Sequence, residues 1–133
     1  MPSSTQTRGS RYEDAAENEL LRRGYHVLER NRRTRTGEID RIALEGDTLV
    51  FVEVRSLTKD AHGRPGETVG AKKQRKLIRA AQEVLAAVPE YRGRACRFDV
   101  VEVLVGPEEG ALEIVIIPGA FDATSRGRAL SIA

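Results

Sequence analysis

The chain has one cysteine, no tryptophan, two histidines and only 5% aromatic residues. A lone Cys96 excludes an internal disulfide and fits a reducing compartment; inside an apolar run it reads as a small buried hydrophobe, not a nucleophile. No apolar stretch approaches the ~18 residues that a membrane-crossing helix needs. The N-terminus has no apolar signal core, so the expectation is a soluble cytoplasmic protein without a membrane partner. A length of 133 residues leaves room for one core only, and no repeat or low-complexity tract is visible. The net charge of +2 is too small to point to nucleic acid by itself, so the placement of charge has to be read instead.

What is present centres on residues 37–55. Gly46-Asp47 separates two β-rich runs and suits a tight hairpin turn, because both residues tolerate positive φ. Leu49–Val54 is almost wholly apolar, as in a central strand buried on both faces, yet Glu53 interrupts it. A carboxylate there is costly unless it is paired, neutralised or bound to a metal. Alternation puts Glu38 and Asp40 on one face of the first strand, and Phe51, Glu53 and Arg55 on one face of the second. If those faces coincide, Asp40, Glu53 and Arg55 meet around a point suited to a hard cation and a phosphate. The competing explanation is a salt-bridge network among the same three residues that closes the end of a sheet.

The remaining chain reads in order as follows. Residues 1–10 are polar and aperiodic, a disordered arm. Residues 11–23 are expected to be helical, with Ser10 as N-cap and Gly24 as the stop. Glu13 suits a capping box, but it also shares a face with Ala16 and Leu20 and so could be aimed at the sheet. Tyr25–Arg30 is a strand with His26 at a surface edge, and Asn31–Thr36 is a basic connection carrying Arg32, Arg33 and Arg35, a solvated turn or a phosphate-contacting loop. Ser56–Gly70 holds three glycines and a proline, a long loop with Lys59, His62 and Arg64; His62 as a general base is a weak reading of a lone loop histidine.

Ala71–Val88 carries an apolar stripe (Leu77, Ile78, Ala81, Val84, Leu85, Val88) ended by Pro89, with Gln74 extending the stripe towards the sheet. Lys72, Lys73, Arg75, Lys76 and Arg79 crowd its N-terminal half with no acid among them. Cations there oppose the helix dipole, so a phosphate backbone is the expected partner. Ala95–Val105 and Leu112–Ile117 are two further strands, the first reached from the Glu53 strand by a right-handed parallel crossover; residues 118–133 read as irregular. The order is αβββαββ around one mixed sheet: an arm at 1–10, a domain at 11–122 and a tail at 123–133.

The spacing Asp40-(x12)-Glu53-x-Arg55 is close to the Asp…Glu-x-Lys signature of restriction-endonuclease-like nucleases. Gly37-Glu38-Ile39-Asp40, Phe51-Val52-Glu53-Val54-Arg55, Lys73-Gln74-Arg75 and Arg97-Phe98-Asp99-Val100-Val101 occur in the order seen in the YraN-like family, small bacterial proteins predicted to be endonucleases. The chain resembles that family over roughly residues 10–122. The resemblance implies a restriction-endonuclease-like α/β fold, shared with archaeal Holliday-junction resolvases. There are two departures: Tyr12-Glu13 replaces the family's usual Gly-Glu, and Arg55 stands where the wider signature has Lys, although Arg also occurs there within the YraN-like group.

On this reading Asp40 and Glu53 hold Mg²⁺ or Mn²⁺ with the Val54 carbonyl, and Glu38 or Glu13 orients a water. Arg55 cannot lose a proton near neutral pH, so it is expected to grip phosphate, not act as a base. Metal-dependent hydrolysis of DNA, branched or damaged DNA included, competes with a binding module that keeps the fold without catalysis. A structural or protein-interaction domain would leave the basic helix unexplained. DNA is favoured over RNA, and a homodimer is suggested only by analogy with resolvases.

Overall fold

The computed structural model describes residues 8–58, 69–108 and 112–121. Helix α1 (Arg8–Arg22) leads into strands β1 (His26–Arg33), β2 (Glu38–Glu45) and β3 (Thr48–Thr58). Helix α2 (Ala71–Ala87) and a short 3₁₀ turn at Pro89–Tyr91 precede β4 (Cys96–Val105) and β5 (Leu112–Phe121). The strands lie in one mixed sheet in sequence order, β1 to β5, with every neighbouring pair antiparallel except β3–β4. This is the αβββαββ arrangement and mixed sheet expected of a restriction-endonuclease-like fold.

The sheet is covered on both sides, which is why β3 is apolar on both faces. On one face Leu77, Ala81, Val84 and Leu85 of α2 pack on Ile42, Leu49, Phe51 and Phe98. On the other Ala16 and Leu20 of α1 pack on Val50, Val52, Val101 and Val103. The β2–β3 turn spans two residues between Glu45 and Thr48; of the pair only Gly46 takes positive φ, at 58°. Among the described residues no helix is long and apolar enough to cross a membrane.

Several sequence boundaries shift. Helix α1 starts at Arg8, so Ser10 lies inside it and cannot be its N-cap, and the capping-box explanation of Glu13 goes with it. Strand β1 runs through Arg33, which reduces the basic connection to Thr34–Gly37, because Arg32 and Arg33 still pair with Ile39 and Glu38 of β2. Strand β5 continues to Phe121 through Pro118 and Gly119; an edge strand tolerates proline, and Gly119 takes φ 58° beside a register shift in β4. Ser56–Thr58 belong to β3, while Lys59, His62 and Arg64, the first seven residues and the tail beyond Phe121 lie outside the described residues. His26 is exposed at the start of β1, and Cys96 is half-buried, its thiol pKa pushed up by burial.

Candidate functional site

Alternation along β2 separates two consecutive residues. Asp40 opens onto the α2 side of the sheet and Arg41 onto the α1 side. The β2–β3 ladder stops at Arg41 opposite Val52, so one step further Asp40 stands across from Glu53. There the Asp40 side chain replaces a backbone acceptor: its Oδ2 accepts the Val54 N–H at 2.8 Å. A strand residue's N–H and C=O face the same neighbour, so the Val54 carbonyl is directed to the same side. Burial, and next the charge of Glu53, push the Asp40 pKa up to about 7 against the pull of the Val54 N–H. Glu53 itself is buried, at 7% exposure.

The cation that meets this pair comes from α2. Lys73 Nζ lies 2.6 Å from Glu53 Oε2. Arg55, two residues along β3, has its Nη1 3.7 Å from Oε2 of the fully buried Glu102, its register partner on β4. The two carboxylates therefore converge as the sequence suggests, and the positive charge beside them is a lysine from the helix.

A cleft of about 800 Å³ lies over the pair. Lys72, Lys73 and Lys76 form one wall, and Thr36, Gly37, Glu38 and Glu13 form the other. Glu83 ties the walls together: its Oε1 accepts the Arg35 N–H at 2.8 Å and its Oε2 accepts the Thr36 hydroxyl. Those bonds, the Thr36 hydroxyl first, hold the Glu83 pKa below its usual value. Asn31 is a residue that sequence reasoning missed. Its Nδ2 donates to Glu13 Oε1 at 2.9 Å and to Glu38 Oε1 at 2.7 Å, joining α1 to β2 at the rim. It does so from a left-handed backbone, φ 51°, that asparagine tolerates better than most residues; that tolerance is the one signal available in sequence.

The basic residues divide by position. Arg75 and Arg79 are exposed but lie further round α2, outside the cleft lining. Gln74 donates its side-chain amide to the Val69 carbonyl at 2.6 Å, fixing the chain that enters the helix. Beyond the Thr34–Gly37 turn, Arg32, Arg33 and Arg35 line a second recess of about 380 Å³. Arg32 is also paired with Glu29 at 2.7 Å.

On the opposite face, Arg41 is 2% exposed and donates to Glu17 Oε1 at 2.6 Å, to Glu13 Oε1 at 3.2 Å and to its neighbour's carbonyl, Asp40 O, at 2.7 Å. Arg30 grips Glu17 with two bonds, at 2.8 and 2.6 Å. The Arg30 bond does most to hold the Glu17 pKa below its usual value, against the effect of burial. Glu13 thus bridges the two faces, in contact with Arg41 and lining the cleft.

Among the described residues no group of three or more His, Cys, Asp or Glu side chains forms a metal cage. The donor set is two adjacent carboxylates and a strand carbonyl. Mg²⁺ commonly accepts such sparse ligation and completes its shell with water. Burial first, and then the Glu53 charge, raise the Asp40 pKa, and a divalent ion would oppose both effects. The residues present fit the ion.

The chain is similar to several bacterial proteins along nearly its whole length. A UPF0102 protein of Symbiobacterium thermophilum is 47% identical over 115 residues, covering 86% of this chain and 96% of that protein. One from Anaeromyxobacter dehalogenans is 45% identical over 107 residues, 80% of this chain and 78% of that protein. One from Moorella thermoacetica is 40% identical over 121 residues, 91% of this chain and all (100%) of that protein. With residues 12–103 also matching the family pattern, the chain belongs to the Uncharacterised protein family UPF0102, the YraN-like group.

Proposed function

We propose that this protein is a divalent-metal-dependent endonuclease acting on nucleic acid, with DNA favoured over RNA. The observation that carries the reading is a pair of carboxylates, Asp40 and Glu53, on the floor of a cleft with three lysines on one wall. A bound Mg²⁺ or Mn²⁺ would supply charge neutralisation at a phosphate and a more acidic water. Asp40, Glu53 and the Val54 carbonyl would hold the ion. Lys72 and Lys76 face the same space and are placed to receive a phosphate backbone, while Arg33 and Arg35 offer a second contact across the Thr34–Gly37 turn. Glu38 and Glu13, fixed by Asn31, stand where they can accept a proton from a water in the cleft. The cytoplasm, where DNA is accessible in a bacterium, is the compartment that this reading requires.

One observation favours a second reading, a binding module without catalysis. The guanidinium of Arg55, the residue expected to stabilise the transition state, is engaged with Glu102 and lies outside the cleft lining. Incubation with duplex, single-stranded, flap and four-way DNA in Mg²⁺, Mn²⁺ or EDTA separates the two. The nuclease reading predicts metal-dependent nicking of at least one substrate. Salt-sensitive binding to all of them without nicking would establish the module.

A further inference from the structure

Lys73 is placed unlike any other basic residue of α2. It sits in the first turn, three residues after the N-cap Gly70, where the helix dipole disfavours a cation and the turn itself holds no acidic residue. Its ammonium nevertheless reaches a buried carboxylate, 2.6 Å from Glu53 Oε2, while 58% of the side chain remains exposed. Arg41, by contrast, is 2% exposed, with guanidinium nitrogens on Glu13, Glu17 and the Asp40 carbonyl. Arg41 cannot leave without opening the core. Lys73 can swing away by rotating a stem that is mostly exposed, leaving the core packing in place.

We propose that Lys73 is a resident counter-cation: it occupies the carboxylate pair in the metal-free protein, and a divalent ion displaces it into the cleft, where it takes a phosphate oxygen. This rests on the metal-site reading above and adds a coupling to it. Glu53 Oε2 cannot serve the ammonium and a metal ion at full strength together, and a bound dication repels the ammonium. The displaced group lies between Lys72 and Lys76 on the wall that faces a phosphate backbone. Metal binding therefore strengthens nucleic-acid binding, and by reciprocity nucleic acid strengthens metal binding by the same factor. Removing Lys73 has a distinctive sign, because it weakens the hold on nucleic acid but tightens the hold on metal.

The test is a Mn²⁺ titration of the nucleic-acid-free protein, with free Mn²⁺ read by electron paramagnetic resonance and folding checked by circular dichroism. Lys73→Met keeps the stem, and its Mn²⁺ affinity should rise about five-fold, the upper end for an ion pair with one exposed partner. Lys73→Arg, which restores the charge, should return to wild-type affinity. Lys72→Met removes the same charge from a neighbouring residue and should change affinity less than two-fold, separating displacement from general electrostatics. Equal or weaker Mn²⁺ binding by Lys73→Met, with wild-type binding abolished by Glu53→Gln, overturns the counter-cation and leaves the metal site standing. Absence of any Glu53-dependent Mn²⁺ binding in wild type and Lys73→Met alike overturns both.

Discussion

Asp40 and Arg41 are consecutive in sequence and opposite in circumstance. Arg41 lies in a saturated assembly on the α1 face, where its guanidinium bonds to Glu17, Glu13 and the Asp40 carbonyl, and where a second arginine, Arg30, grips Glu17. Asp40 lies in a short-handed assembly on the α2 face, beside another carboxylate, with one half-exposed lysine reaching Glu53. Both sets contain buried charge. Glu13 carries the first to the edge of the cleft, but only the second forms the cleft floor and holds a carboxylate pushed up to about 7. Balanced buried charge fixes a fold, whereas unbalanced buried charge next to solvent asks for a ligand.

The sharpest way to break this contrast is at Arg41. Arg41→Met should cost about 3 kcal/mol, because it removes three charge-assisted bonds from the core and leaves the buried Glu17 to Arg30 alone. The urea midpoint measures it, and a loss below about 1 kcal/mol would mean that the α1 assembly is not structural.

Arg55 contrasts the two faces through catalysis. If its guanidinium leaves Glu102 for the phosphate, Arg55→Ala should lower metal-dependent cleavage about 10²-fold and Arg55→Lys much less. A rate per folded molecule within a few-fold of wild type, together with a lower unfolding midpoint, would assign Arg55 to Glu102 alone.

The titration of Asp40 gives a smaller effect with a defined sign. Its carboxyl holds a proton more tightly when folded, at about 7, than at its ordinary value of 3.8. Folding therefore takes up a proton between these values. The contribution of this group is fully present below about pH 4 and is lost as pH rises to about 7. Chemical denaturation across this window should show wild type losing stability relative to Asp40→Asn, whose amide oxygen can still accept the Val54 N–H. Parallel curves would mean that folding does not raise the Asp40 pKa.

The smallest effect belongs to the cleft wall. Lys72→Ala or Lys76→Ala should each reduce the slope of log affinity against log salt for DNA by about one unit, similarly for all sequences. An unchanged slope, or a change in sequence preference, would remove these lysines from the backbone contact.

The hairpin around Gly46 and the helix from Ala71 were legible in sequence because local periodicity and turn chemistry decide them. The Asp40–Glu53 juxtaposition was legible too, since a two-residue turn fixes the register. The pairing of Arg55 with Glu102 depends on the parallel register of β3 on β4, set across a connection of more than thirty residues that no local pattern encodes. Lys73 was visible as one basic residue among five. Its reach to Glu53 follows from how α2 docks on the sheet, which the apolar stripe constrains only in rotation. The start of α1 was missed because Ser10 resembles a cap, and tertiary packing of Ala16 and Leu20 sustains a helix that propensity would begin later.

Whether Glu53 holds a cation for chemistry is decided by one paired measurement. Wild type and Glu53→Gln are compared for Mn²⁺-dependent DNA nicking and, in the same preparations, for their unfolding midpoints. The expected result is nicking that EDTA abolishes and that Glu53→Gln reduces by at least about 10²-fold, with midpoints within a few degrees of each other. A Gln variant that nicks as wild type does would contradict it. So would a midpoint several degrees lower with no metal-dependent activity in the wild type, the signature of an ion pair that serves the fold alone.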